Sequence, residues 1–168
     1  MPSGADGARP FWAVMAFTVL LDRITKLVAE RSLGDRAVSV IGDPVRFRLV
    51  HNQGAAFGLE LGIWQRWIFV VIAFVAIAWL YRASQQAARG DKLRQFAVAF
   101  VAGGAAGNAV DRLLSARGVV DYIDIGAGTL RWPTFNVADI AVTCGAVALA
   151  ISLWREDARS APAPSSPV

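Results

Sequence analysis

Four apolar stretches divide the chain: Phe11–Leu21, extended through Asp22–Lys26 to about Ala29, then Ile63–Tyr81, Phe96–Leu114 and Val137–Trp154. At a rise of about 1.5 Å per residue, a helix crosses a bilayer with roughly 17–25 residues. Each stretch reaches that length only by taking in polar residues at one end. The uncharged parts, Trp67–Tyr81, Phe96–Val110 and Ile140–Trp154, have 15 residues each. The pattern predicts four membrane helices, over about 11–29, 63–81, 96–114 and 137–154, with their polar groups near an interface.

Between the first two helices the period changes. Val45-Arg46-Phe47-Arg48-Leu49 alternates strictly, as a half-buried strand does with its arginines on the wet face. Ala37–Ile41 and Val45–His51 flank Gly42-Asp43-Pro44, which predicts a hairpin. Val119–Ile125, followed by Leu130–Trp132 after Gly126-Ala127-Gly128, is a second extended stretch able to pair with it. The fold class expected is therefore a mainly α membrane protein, with four transmembrane helices and a small β-platform between spans. Residues 1–9 and the proline-rich tail 158–168 are expected to be disordered. That leaves 10–157 as a single membrane domain.

Composition supports this class: 55% of the 168 residues are hydrophobic and 18% are charged, with a mean hydropathy of +0.45. Phe11–Leu21 has the length of a signal-peptide core, but Asp22-Arg23 follows at once without a small-residue cleavage site, so a retained helix is expected. Both termini then share one side of the membrane with the loop Arg82–Arg94. Seven Lys and Arg fall there and ten opposite, so charge does not fix the orientation. The net charge of +4 suits anionic head groups. No basic stripe interleaves with aromatics, which argues against nucleic acid. Cys144 is alone and inside the fourth span, where a small apolar filler is the expected role. His51 is also alone, so no zinc site is expected. Gly103, Gly104 and Gly107 share a face of the third helix and predict close helix packing. The six tryptophans lie mostly near span ends, as an interfacial belt requires.

The candidate chemistry sits at one end of these helices. Asn108, Asp111 and Arg112 share a face of the third helix at i, i+3 and i+4. Asn136 and Asp139 open the fourth helix, and Asp22, Thr25 and Lys26 close the first. Because successive spans alternate in direction, all three clusters fall on the same side, with Asp121. A carboxylate at membrane depth costs at least about 2.5–3.5 kcal/mol, which makes each one a functional candidate. Asp22 with Lys26 reads as an i, i+4 ion pair at the interface, and Asp111 with Arg112 as an ion pair bracing the third helix. Asp121 and Asp139 have no lysine or arginine beside them, and Asp121 lies among Val119, Val120, Tyr122 and Ile123. Desolvation there favours holding a proton. These two are the better acid–base pair, with the chemistry of an aspartic protease.

Five segments together resemble, in order and spacing, the motifs of lipoprotein signal peptidase (signal peptidase II). They are Leu21–Lys26, Asn52–Gly58, Gly103–Arg112, Val119–Tyr122 and Phe135–Asp139, and the likeness covers about residues 11–155. The resemblance implies an aspartic endopeptidase of the bacterial inner membrane, with cytoplasmic termini and its active site near the outer face. It would remove the signal peptide from diacylglyceryl-modified prolipoproteins just before the lipidated cysteine. The family's catalytic aspartates fall on Asp121 and Asp139. Its supporting and substrate-binding residues fall on Asp22, Lys26, Asn52, Gly54, Gly104, Asn108, Asp111, Arg112, Asn136 and Ala138; from its small residues, the loop around Gly54 is expected to cover the substrate as a lid. The β-platform would be extracytoplasmic. No metal or organic cofactor is implied. The partners are prolipoproteins and membrane lipids, with the chain acting as a monomer. Arg23 and Tyr122 are minor departures from the motifs.

Two other readings compete. A small proton-coupled transporter would use Asp111 and Asp139 as a relay, although the chain shows no internal repeat. A membrane scaffold would use the surface sheet for docking and tolerate loss of either acid.

Overall fold

The computed structural model describes residues 5–54, 64–87 and 91–160. Among these residues four helices and four strands follow in the order α1 (Ala5–Ser32), β1 (Val38–Ile41), β2 (Val45–Asn52), α2 (Gln65–Gln86), α3 (Lys92–Leu114), β3 (Val119–Ala127), β4 (Leu130–Arg131) and α4 (Val137–Ser160). Two of the helices, Gln65–Gln86 and Val137–Arg159, are long and apolar enough to cross a membrane. The other two carry polar groups that are turned inward: Thr18, Asp22 and Lys26 of α1 and Asp111 of α3 are all buried.

Helix α3 packs against all three other helices, and its composition explains how. Apart from Val98 and Asp111, its buried positions are small: Ala97, Ala99, Ala102, Gly103, Gly104, Ala106, Gly107 and Ala109. The expected glycine face is used in full. A Cβ on Gly103 would meet Thr18 of α1, one on Gly104 the carbonyl oxygen of Ala138, and one on Gly107 the Asp22 carboxylate. We expect Gly104→Ala to lower the melting temperature of the detergent-solubilised protein, because the backbone it strikes cannot move cheaply; overpacking of this kind costs about 1–3 kcal/mol. An unchanged melting temperature would show that α3 and α4 can separate freely there.

At the far end of the bundle, Phe11, Leu80, Val98, Ala99 and Ala102 form an apolar cluster, and Phe11 meets Tyr81 edge-on. Two boundaries differ from the expectation. Helix α1 begins at Ala5, within the segment expected to be disordered, and α4 runs to Ser160. The last turns of α4 before this extension have partners: Arg94 pairs with Glu156 at 3.0 Å, and Ser152 donates to Asp91, the N-cap of α3, at 2.7 Å.

The strands form one antiparallel sheet in the order β1-β2-β3-β4. Arg46 and Arg131 clamp the buried Asp124 from neighbouring strands at 2.9 and 2.6 Å. Arg46 thus serves an ion pair rather than simply facing water. Between Phe47 and Val50 the register slips: Arg48 and Leu49 on β2 face the single residue Tyr122 on β3. Such a bulge re-aims the side chains beside it, and the residue immediately before Tyr122 on β3 is Asp121. Cys144 is exposed on the outside of α4, not a buried filler.

Candidate active site

The segment before α4 is tied to β3. Phe135 accepts from the Tyr122 and Ile123 amides at 3.0 and 2.8 Å and donates to the Ile123 carbonyl at 3.0 Å. This bridge carries Asn136, the residue preceding α4, against Asp121. Asn136 caps the helix: its Oδ1 accepts from the Asp139 amide at 3.0 Å, and Asp139 Oδ2 accepts from the Asn136 amide at 3.1 Å. The exchange is a capping box with aspartate in the third helical position. One element of local helix chemistry therefore fixes where Asp139 points.

The same asparagine reaches the other acid. Asn136 Nδ2 donates to Asp121 Oδ1 at 2.7 Å and to Asn108 Oδ1 at 3.1 Å. Asn108 Nδ2 donates to Asp139 Oδ1 at 2.9 Å, and Asn52 Nδ2 donates to Asp121 Oδ2 at 3.0 Å. Asp121 and Asp139, from a strand and a helix, are thus held in one hydrogen-bonded chain. Their surroundings differ: Asp121 is 2% exposed, whereas Asp139 is half-buried and lines an apolar cleft of about 320 Å³ with Trp132, Phe135, Ile140, Thr143 and Cys144. Burial pushes the Asp121 carboxyl up, and the nearby Asp139 charge adds to this. The amides of Asn52 and Asn136 pull it partly back, leaving it at about 6.

Behind this pair lies a buried ionic hub. Lys26, fully buried, pairs with Asp22 at 2.7 Å and Asp111 at 2.8 Å, and donates to Asn108 Oδ1 at 2.9 Å. Asp22 accepts from the Ala138 amide at 2.9 Å; Asp111 accepts from the Val120 amide at 3.2 Å. The hub links α1 to the starts of both β3 and α4. The Asp22–Lys26 pair is therefore present but buried, not at a wet interface.

The expected Asp111–Arg112 ion pair does not form. Neighbours on a helix point about 100° apart and do not face each other. Asp111 instead meets Arg23 at 3.1 Å, a residue sequence reasoning passed over because its partner is 88 positions away. Arg112 donates to the Asn108 carbonyl at 3.1 Å, lies 4.8 Å over the Phe69 ring, and has Asp121 and Asp139 among its electrostatic neighbours. Gly54 has φ +101°, a conformation glycine tolerates best. Its amide donates to Asn52 Oδ1, and a Cβ there would strike Phe69. The loop after it, expected to act as a lid, lies outside the described residues. Among the described residues no cluster of His, Cys, Asp and Glu is arranged to hold a metal ion.

Residues 14–155 match the family model described as Signal peptidase (SPase) II. A lipoprotein signal peptidase of Cupriavidus taiwanensis is 40% identical over 151 residues, covering 86% of this chain and 82% of that one. One from an Azoarcus species is 38% identical and covers 93% and 91%. A solved bacterial membrane enzyme, determined in meso at 2.3 Å, superposes with a TM-score of 0.78 at 25% identity, covering 93% of this chain and 94% of the other. A second, at 1.9 Å, gives 0.76 at 28% identity, covering 85% and 91%.

Proposed function

The chain belongs to the signal peptidase II family, and from that premise we propose that Asp121 and Asp139 are its catalytic dyad. It is a membrane peptidase of lipoprotein processing, and the rival transporter reading finds no support among its relatives. The observation that carries the dyad is the double engagement of Asn136, whose side chain holds Asp121 while its backbone amide holds Asp139.

In the mechanism the geometry favours, Asp121 is the protonated member, because it is the more deeply buried acid and its carboxyl is shifted to about 6. Asp139, ionised, takes a proton from a water molecule as the oxygen attacks the scissile carbonyl. Asp121 gives its proton to the carbonyl oxygen, forming a tetrahedral diol. Collapse breaks the carbon–nitrogen bond: a diol hydroxyl returns its proton to Asp121, and the leaving amine takes up the proton held by Asp139. Asn108 and Asn136 orient the acids, and Arg112 supplies positive charge beside them. The substrate is a prolipoprotein cut just before a lipidated cysteine, whose acyl chains remain in the bilayer while apolar parts approach Asp139 through the cleft at Trp132 and Ile140. All four helices cross the inner membrane in this reading. The termini are cytoplasmic, and the sheet and dyad lie at the outer face.

The test is cleavage of a diacylglyceryl-modified prolipoprotein by the purified protein, with the unlipidated precursor alongside. Cleavage before the lipidated cysteine alone is expected; equal cleavage of both would remove the lipid requirement. The pH profile is a further check. Since the Asp121 carboxyl lies above its ordinary value, at about 6, its proton is held below that pH and lost above it. We therefore expect kcat/KM to fall as pH rises through about 6 to 7, with one proton lost. A rate that keeps rising to pH 8 would show that cleavage does not require the proton lost near pH 6.

A further inference from the structure

We propose that the cavity between the start of α2 and the end of α3 binds the phosphodiester of a phospholipid head group, with Arg66 as its principal ligand. This inference is independent of which acids carry out cleavage. The cavity has a volume of about 430 Å³ and is lined by Gln53, Gln65, Arg66, Trp67 and Arg112, with Ala116 and Gly118 leaving it open. Among the described residues no carboxylate lines it. Arg66 Nε and Arg112 Nε are both buried without a hydrogen-bond partner, and among the described residues neither guanidinium has a carboxylate within ion-pairing distance. Arg112 has the acids of the catalytic centre in its electrostatic surroundings; Arg66 is the cation left for a ligand.

The arginines are also held in place. Arg66 lies 4.5 Å over the Trp67 ring and Arg112 4.8 Å over Phe69, so each planar fork is oriented before a ligand arrives. Both side chains line the cavity, and a guanidinium without a carboxylate partner at a cavity wall favours an anion there. A phosphodiester offers two oxygens to such a fork, a geometry that arginine meets and lysine does not.

The position selects a lipid as the source of the phosphate. Helix α2, one of the two most apolar helices, begins at Gln65. Trp64 and Trp67 beside it are 67% and 45% exposed, as aromatics at head-group level are. Below them Ile68, Val71, Ile72 and Val75 form an exposed apolar face, along which acyl chains can run while the phosphate stays on Arg66.

The test is native mass spectrometry of the full chain, delipidated in detergent, titrated with dioctanoyl phosphatidylglycerol. Dioctanoylglycerol serves as the phosphate-free probe and inorganic phosphate as competitor. We expect Arg66→Gln to weaken phosphatidylglycerol binding about tenfold, the scale of one charge-assisted interaction, and to leave dioctanoylglycerol unaffected. Arg66→Lys, which keeps the charge without the fork, should recover only part of the affinity, and matched melting temperatures would show that both variants fold. If inorganic phosphate displaces the lipid at equal concentration, the anion site stands and its source is free phosphate. Equal binding of phosphatidylglycerol to wild type and Arg66→Gln, or dioctanoylglycerol bound as well as phosphatidylglycerol, would overturn the proposal.

Discussion

Asp121→Asn and Asp139→Asn are each expected to lower kcat/KM for the lipidated prolipoprotein by at least about a thousandfold, within the range of roughly 10²–10⁴ that positioned acids and bases contribute. The two losses should not add. Acids that pass one proton between them act as a unit, so the double variant should be about as slow as the worse single one. Neither variant should unfold. Asparagine keeps the size of the side chain, and Asn136 still caps α4 through its bond from the Asp139 amide. The measurement is therefore a pair: cleavage rate, and melting temperature in the same detergent. A variant that stays folded and keeps near-full activity would remove that aspartate from the dyad. Of the two, Asp139→Asn is the cleaner probe of chemistry, since Asp139 is half-buried and lines an open cleft. Either substitution turns a side-chain NH2 toward a group already donating, Asn52 or Asn136 at position 121 and Asn108 or the Asn136 backbone at position 139, and the deeper burial of position 121 makes the clash costlier there. Some loss of stability is expected there as well.

Much of this arrangement is legible in the chain because it rests on local physics. Strict alternation at Val45–Leu49 and the turn at Gly42–Pro44 predict the hairpin that forms. Asn136 and Asp139 at i and i+3 read as a helix start, and they make a capping box. The pairing of charges is different. Asp111 and Arg112 are adjacent in sequence and therefore point apart, whereas Asp111 and Arg23 are distant in sequence and meet across two helices. Periodicity says which face of a helix is polar, but not which helix that face meets. Asn136 shows the same limit: its position beside Asp121 depends on the bridge between Phe135 and Ile123, which no local pattern announces. The cavity at Arg66 is not legible either, because it takes residues from the start of α2, from the end of α3 and the segment after it, and from Gln53 just past β2.

The second large effect falls on stability. Lys26→Met is expected to destabilise the protein by about 3–5 kcal/mol, the cost of removing one partner from a buried ion pair. Lys26 has three protons to donate and three acceptors in reach, Asp22, Asp111 and Asn108. Without it, the hub keeps two buried carboxylates and only Arg23 to balance them. Asp22 is left worse off, because Arg23 bonds Asp111 alone among the two. Methionine fills the volume, so the loss reads electrostatics rather than a cavity. If that is the cause, Asp22→Asn placed in the Lys26→Met background should recover part of the melting temperature, although Asp22→Asn alone should lower it. A Lys26→Met protein that melts with wild type would show that the buried acids find other compensation. Activity separates the two roles of the hub. Asn108 loses its Lys26 donor but keeps the one from Asn136, so the amide that holds Asp139 is loosened rather than released. The folded fraction of Lys26→Met is therefore expected to cleave more slowly with KM little changed, while full activity in that fraction would confine Lys26 to holding the helices together.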